Sequence, residues 1–213
     1  MGAVLSRIDA VNMILGSADM MPVNQIETNT TAEARLAINA LDQAHREILN
    51  EGWHWNIEYE YELEADPVSG EVTVSPNIMR FDPRENPEFI QRGRLLYDRL
   101  NHTTVIGTAV KGTAMFYQEW DDLNEEVKAY ISRKAARRFH AQHVGSGQDL
   151  RSLIQDEQEA RRLCLDADMD VGSYSIFDNP DMQAGLSYGN QYVGRASFNG
   201  NDPFRNRDGG DNN

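Results

Sequence analysis

Four glutamates alternate with aromatic and apolar residues between Trp53 and Glu64. The glutamates share one parity: Glu58, Glu60, Glu62 and Glu64. The other parity is aromatic and apolar: Trp53, Trp55, Ile57, Tyr59, Tyr61 and Leu63. Because successive side chains of a strand point to opposite faces, the pattern predicts one long strand with an acidic face and an aromatic face.

Carboxylates spaced in this way could hydrolyse a glycosidic bond. Same-face residues of a strand lie roughly 6.5–7 Å apart, near the carboxylate separations that glycosidases use. Such catalysis needs two carboxylates in unlike environments, one of them with its pKa raised by burial. Four equivalent glutamates on a solvated face would all ionise. We therefore interpret the row as the outer face of a half-buried sheet, and keep a glycan hydrolase using these carboxylates as the alternative.

Other patterns that could carry chemistry do not complete a site. The run from Gly107 to Thr113 suggests a phosphate loop, but its lysine precedes the second glycine, so it could not reach a β/γ-phosphate. His140 and His143 have a spacing that could hold a metal, yet no third ligand follows at recognised spacing. We interpret them as surface histidines at a helix C-terminus. We therefore expect no catalytic residues, no metal and no cofactor.

One basic patch stands out in an acidic chain. Its members are Arg133, Lys134, Arg137 and Arg138. It could face phosphates, but acids that could pair with it occur on the predicted partner helix: Asp156, Glu157 and Glu159. We favour intramolecular pairing or a subunit contact over nucleic-acid binding.

The length and net charge of the chain limit the classes of protein to which it can belong. A chain of 213 residues can form one domain with an inserted subdomain and can bury a core without disulfides. Its net charge of −14 repels nucleic acid and anionic membranes and favours a soluble subunit. The single cysteine, Cys164, lies on an apolar helix face and indicates packing and synthesis in a reducing compartment. No apolar run is long enough to insert in a membrane.

Helices are predicted on both sides of the middle of the chain. A first helix runs from about Val4 to Leu15, and a second follows the capping-box spacing Thr30–Glu33 and ends at Gly52. A third runs from Asp121 to Val144. A fourth follows the tight break Gly145–Gly147, with an apolar stripe that reaches Ala167. The third and fourth helices should pack as an antiparallel hairpin.

The middle of the chain is predicted to be a small antiparallel sheet. After the long strand come a turn, a return strand at Glu71–Val74, and four short candidates: Asn77–Phe81, Arg94–Tyr97, Thr103–Ile106 and Thr113–Tyr117. The predicted fold is therefore α+β. Residues 1–52 and 121–171 form an antiparallel helix bundle, and residues 53–120 form an inserted β-domain.

The segment from residue 172 to 213 differs in composition. It holds seven glycines and seven asparagines, without a helical period. Its aromatic residues are isolated: Tyr174, Phe177, Tyr188, Tyr192, Phe198 and Phe204. This predicts a flexible C-terminal arm. Either the arm becomes ordered on a partner through these aromatics, which makes them assembly-interface candidates, or it is a solvated tail.

Several blocks of the sequence resemble one family. The run Glu47–Glu58, with Gly52-Trp53-His54-Trp55-Asn56, resembles the helix-to-strand junction of tail tubular protein A, the head-to-tail adaptor of short-tailed bacteriophages. The run Ala160–Asp170, followed by Gly172, resembles the last helix of that family. Residues 120–145 and the opening Ala10–Ser17 also match in order and spacing. The similarity covers about residues 4–178.

The resemblance implies a structural virion protein with no enzymatic role, made in the bacterial cytoplasm. It implies a homo-oligomeric ring, a dodecamer, between the portal protein and the nozzle formed by tail tubular protein B, with tail fibres attached near the lower joint. Genomic DNA would pass through without sequence-specific binding. Carboxylates on the channel wall would repel phosphates, and the channel-lining candidates are Glu58, Glu60, Glu62 and Glu64, or else the acids of the last helix. A third reading, an assembly chaperone, predicts absence from finished particles.

Overall fold

The structure, a computed structural model, describes residues 4–26, 31–84, 86–145 and 147–178, with side chains as far as Gly172. By its internal packing the chain divides after Gly172. Four helices and five strands lie in the described residues. The helices are α1 (Arg7–Gly16), α2 (Ala32–Leu49), α3 (Glu125–His143) and α4 (Gln148–Asp178). The strands are β1 (Ile57–Leu63), β2 (Ile78–Asp82), β3 (Phe89–Arg92), β4 (Leu95–Asp98) and β5 (Val110–Phe116). The predicted α+β class is confirmed.

The first three helices form the main core. The N-terminus of α1 is capped by Ser6, which exchanges hydrogen bonds with Asp9, and that of α2 by Thr31, whose hydroxyl accepts from the Ala34 N–H at 3.2 Å. The cap of α2 is therefore one residue later than the spacing Thr30–Glu33 predicted. Helix α3 packs against both α1 and α2 and buries most of its circumference, including Val127, Ile131 and Phe139.

Helix α4 runs antiparallel to α3, as predicted, since Arg137 pairs with Glu157 and Tyr130 contacts Arg161, but the two helices make few close contacts. Ala160 and Cys164 are buried in the main core, whereas Ile154 and Leu163, which the apolar stripe placed in the interface, are exposed. The helix continues to Asp178, beyond residue 171, where the bundle was predicted to end.

Two small antiparallel sheets lie between α2 and α3 in the chain. The first has the strand order β1-β5-β2, and the second pairs β3 with β4. They share a second hydrophobic cluster, which includes Val72, Val74, Phe81, Leu96 and Val110. The predicted strands at 71–74 and 103–106 form only isolated bridges, and β3 was not predicted.

Candidate functional site

The acidic row does not lie on one face of one long strand. Residues 54–56 form a 3₁₀ turn, so the strand begins only at Ile57. Within it, Glu58 pairs with Ala114 but Tyr61 pairs with Gly112, which leaves two residues, 59 and 60, opposite a single residue of β5. This is a β-bulge, and Glu60 has the left-handed φ of 55° that such an irregularity imposes.

After the bulge, even-numbered residues of the strand point to the opposite face of the sheet. Glu58 pairs with Ala114, whereas Glu62 pairs with Lys111, and these two partners lie on opposite faces of β5. The prediction of a single acidic face is therefore wrong. All four glutamates are nevertheless exposed, and Glu62 reaches Lys111 only at 3.9 Å. No member of the row has the buried environment that a catalytic acid needs.

The residues that the sequence joined into one strand instead build the junction between the helices and the sheet. Trp53 is 3% exposed and belongs to the helical core, where its indole N–H donates to the main-chain oxygen of Ile48 at 2.7 Å. The preceding Gly52 has a φ of 83° and lies three residues beyond the end of α2 at Leu49, which is where the helix ends instead of at the predicted Gly52. A Cβ at Gly52 would lie 2.9 Å from the Cε of Met115, which could shift, so it is the positive φ that makes glycine the favoured residue at the junction.

The side chain of Asn56 connects the end of α2 to the end of β5 at this junction. Its side-chain oxygen accepts from the Trp53 N–H at 2.8 Å. Its amide nitrogen donates to the oxygen of Leu49, at the end of α2, and to the oxygen of Phe116, at the end of β5, at 2.9 and 3.2 Å. The side chain is buried and uses both its donors and its acceptor. Sequence reasoning missed this role, because Asn56 has the parity of the glutamates.

Helix α4 reaches the same junction. The carboxylate of Asp168, which is 8% exposed, accepts from the main-chain N–H of His54 at 2.8 Å and contacts its Nδ1 at 2.9 Å. One turn later, Gly172 lies so close to the His54 ring that a Cβ would be 2.9 Å from Cε1. The two most specific blocks of the sequence, Glu47–Glu58 and Ala160–Asp170, therefore touch.

The basic patch is paired within the chain, as predicted, but mostly with other partners. Arg137 binds Glu157 of α4. Arg138 binds Glu47 of α2 at 2.6 Å, and Lys134 lies 3.3 Å from Glu51. Glu47 and Glu51 were not predicted. Their spacing of four residues, with Glu47 on α2 and Glu51 just beyond its end, matches that of Lys134 and Arg138 on α3, and this signal could have identified them.

The electrostatics of this cluster favour the ion pairs. Burial alone would raise the pKa of Glu47, but the hydrogen bond and charge of Arg138, with smaller contributions from Gln43 and Lys134, hold that pKa below its ordinary value. The third basic side chain, Arg133, donates to the main-chain oxygen of Asp156 at 3.4 Å. A patch engaged in this way has little charge left for nucleic acid.

Two further predictions concern His140 and Cys164. His140 is 3% exposed and binds the main-chain oxygen of Ser17, so the prediction of a surface histidine is wrong for this residue, whereas His143 is exposed and stacks on Phe139. Cys164 is buried, as predicted, and burial raises the pKa of its thiol to about 12. Such a thiol packs and does not react.

The arm candidates fall mainly beyond the structure. Tyr174 and Phe177 lie in the last turns of α4, where side chains are not described. The others, Tyr188, Tyr192, Phe198 and Phe204, lie outside the described residues. Within the described ranges, no three His, Cys, Asp or Glu side chains are arranged to hold a metal ion. No helix in the same ranges is both long enough and apolar enough to cross a bilayer.

Compared with protein-family models, residues 8–174 match the model described as Tail tubular protein. The matched range includes α1, α2 and α3, both sheets and most of α4. A comparison with curated protein sequences found no match.

Proposed function

The chain belongs to the tail tubular protein family, and from this premise we propose that it is the head-to-tail adaptor of a short-tailed phage. The resemblance inferred from the sequence is confirmed. Members of this family are structural proteins of the phage tail, so the chain is a tail component of the virion. The observation that carries the finer proposal is the extent of the match, which includes both the helical core and the sheets.

The proposed assembly is a ring of twelve copies between the portal protein and the nozzle of tail tubular protein B, with tail fibres near the lower joint. A closed ring needs a head-to-tail contact between two different surfaces of each subunit. The helical core and the sheets supply chemically different surfaces, and Asn56 and Asp168 hold them in one rigid arrangement. Electron microscopy of the protein mixed with portal tests this: rings with a central hole support the adaptor, and lone monomers refute it.

Exposed carboxylates are proposed to keep DNA mobile in the channel of this ring. The candidates on and beside β1 are Glu58, Glu60, Glu62 and Glu64, all of which are exposed. Like-charge repulsion between these side chains and the phosphates would prevent the genome from sticking as it leaves the capsid. The acids of α4, among them Asp156 and Glu159, are the second candidate wall.

Charge reversal distinguishes the two walls. We expect the four β1-row glutamates, changed to lysine together, to slow genome ejection from otherwise complete particles, because lysines bind phosphates. A second variant tests the other candidate wall by changing the exposed α4 acids Asp156 and Glu159 to lysine. Ejection is measured by dye release from purified virions at fixed salt. If only the α4 variant is slow, that helix lines the wall; if neither is slow, the channel proposal fails.

The glycan-hydrolase alternative is not favoured by the geometry. The bulge separates Glu58 from Glu62, and every glutamate of the row is exposed. Hydrolysis of host surface polysaccharide that is lost in Glu58→Gln or Glu62→Gln would favour the alternative.

The arm is proposed to become ordered on assembly through its isolated aromatics. Residues beyond 178 should therefore be cleaved by protease in the free subunit and protected in the ring. Cleavage at equal rates in both states would identify a solvated tail.

A further inference from the structure

A groove of about 380 Å³ lies between α2 and α3 on the helical core. Leu36, Asn39 and Gln43 line it from α2, and Arg138 and Gln142 line it from α3. Leu36 is 48% exposed at the rim, a large fraction for a leucine within an amphipathic helix. The volume of the groove is in the range of sites that bind a ligand or a short segment of peptide.

The chemistry of the groove suits a peptide main chain. Three carboxamides converge on it, and each carries both a donor and an acceptor, as a peptide group does. Gln43 donates to Glu47 at 3.1 Å, and within the described part of the chain the side chains of Asn39 and Gln142 have no hydrogen-bonding partner. The charged residues at its floor, Arg138 and Glu47, pair with each other at 2.6 Å. The groove therefore presents almost no net charge.

The C-terminal segment, residues 179–213, matches that neutrality. It has four acids and three bases, Asp181, Asp202, Asp208, Asp211, Arg195, Arg205 and Arg207, so it carries only one unit of the chain's net charge of −14. It can approach another copy without the repulsion that the rest of the chain would meet. Its asparagines match the carboxamides, and its isolated aromatics match the exposed Leu36.

The course of α4 and the length of the segment allow a neighbouring copy to supply it. The helix begins five residues after the groove residue His143 and runs towards the junction, where Gly172 contacts His54. From Gln148 to Gly172 the rise is about 36 Å, so α4 carries the chain away from its own groove. The segment beyond 178 has a reach of roughly 115 Å when extended, which is enough to cross to a neighbouring subunit.

We propose that residues 179–213 of one copy bind in the α2–α3 groove of the adjacent copy. The inference rests on the proposed ring, and it identifies the surface on which the arm becomes ordered. The arm would act as a strap between neighbours that tolerates the repulsion between their acidic bodies.

Photo-cross-linking in the full-length protein tests the proposal. Benzoylphenylalanine is introduced at Gln142, and in a second variant at Ala40, which also lines the groove. We expect a species of twice the subunit mass on a denaturing gel, with the cross-linked peptide from residues 179–213. Leu36→Glu should lower its yield at least fivefold. Met13→Glu, a similarly exposed position on α1 (42%), should leave the yield unchanged.

Each other outcome has a definite meaning when ring formation is measured on the same samples by sedimentation. A cross-link to residues 179–213 within one chain overturns the exchange between copies. Rings without a cross-link to this segment from either position, or a yield that Leu36→Glu does not change, overturn the groove while the adaptor proposal stands. Absence of rings at every ionic strength, with no incorporation into particles, overturns the proposed function and this inference together.

Discussion

At the scale of single residues, Asn56 is the side chain on which the junction depends most. It connects the end of α2 to the end of β5, two points 67 residues apart in the chain, through one buried amide. An amide in this position is costly to remove, because the buried Trp53 N–H would lose its acceptor and the main-chain oxygens of Leu49 and Phe116 would each lose a donor. The surrounding polar residues on the same parity, such as Glu58, are exposed and have no comparable role.

We expect Asn56→Ala to lower the free energy of unfolding by roughly 3 kcal/mol, since it leaves the buried Trp53 N–H without an acceptor, removes two further hydrogen bonds and opens a small cavity. The control is Asn77→Ala, at an exposed position where only the main-chain oxygen is used, and it should change the stability by less than about 0.5 kcal/mol. Urea unfolding followed by tryptophan fluorescence measures both. Equal effects of the two substitutions would contradict the proposed role of the Asn56 side chain in connecting α2 to β5.

His45 is the second residue whose burial has a consequence. It is 4% exposed, its ring lies 5.1 Å from Tyr117 and 6.0 Å from Trp120, and among the described residues its Nε2 has no hydrogen-bonding partner. Burial lowers its pKa; the Gln118 main chain and Asp42 oppose the shift, while Arg7 and Arg46 add to it. The folded state therefore keeps this histidine neutral below the pH at which the unfolded chain protonates it.

The sign of the pH dependence follows from this lowered pKa. Between the folded pKa and the unfolded value of about 6.5, the unfolded state binds more protons, so stability falls as pH decreases below about 6.5. We expect the urea midpoint to fall between pH 7.5 and 5.5, and His45→Phe to flatten this slope. His102→Asn, at an exposed position with a φ of 53° that asparagine tolerates, should leave the slope unchanged. An unchanged slope in His45→Phe would refute the assignment.

At the scale of elements, α4 is held by one set of contacts near its start and by another set near the junction. Arg137 and Glu157 pair near its start, and Asp168 and Gly172 contact His54 near the junction. Between them only a narrow seam is buried. The close approach of the helix to the imidazole explains a glycine inside a helix, where it costs about 1 kcal/mol relative to alanine.

A double-mutant cycle tests this contact. In the wild-type background Gly172→Ala should not raise the free energy of unfolding, because the new Cβ meets the His54 ring. In the His54→Ala background the same change should raise it by about 1 kcal/mol, since only the helix propensity then counts. Hydrogen exchange of the α4 amides, with urea unfolding, measures the coupling. The same increment in both backgrounds would show that contact with the His54 ring is not the reason why glycine occupies position 172.

At the scale of the whole molecule, charge is the dominant property. The net charge of −14 is spread over a subunit that is proposed to meet identical copies around a ring. At low salt the repulsion between them extends about 30 Å, and at physiological salt about 8 Å. Ring closure therefore depends on ionic strength.

We expect sedimentation velocity to show more ring at about 0.15 M salt than at about 0.01 M, because the repulsion is screened. The four-lysine variant of the β1 row gains eight positive charge units, which brings the net charge from −14 to −6. It should assemble with a weaker salt dependence. Rings that dissociate as salt rises would instead indicate that attractive ion pairs hold the subunits together.

The sequence alone determined those features that arise from residues a few positions apart. The periods of α2, α3 and α4 and the β-rich middle were readable from local spacing, because a helix face or a capped end depends on neighbours within one or two turns. The family was identified from the resemblance of whole sequence blocks. The arm remains a prediction from composition.

The tertiary structure decided which side chains are buried and which partners they meet. Alternation from Trp53 to Glu64 is a local pattern, but the register of β5 introduces the bulge at residues 59 and 60, and the bulge divides the acidic row. The partners of Lys134 and Arg138 come from α2, and those of Asn56 from both ends of the inserted sheet. Such contacts join residues far apart in the chain, and spacing along the sequence contains no information about the register and packing that bring them together.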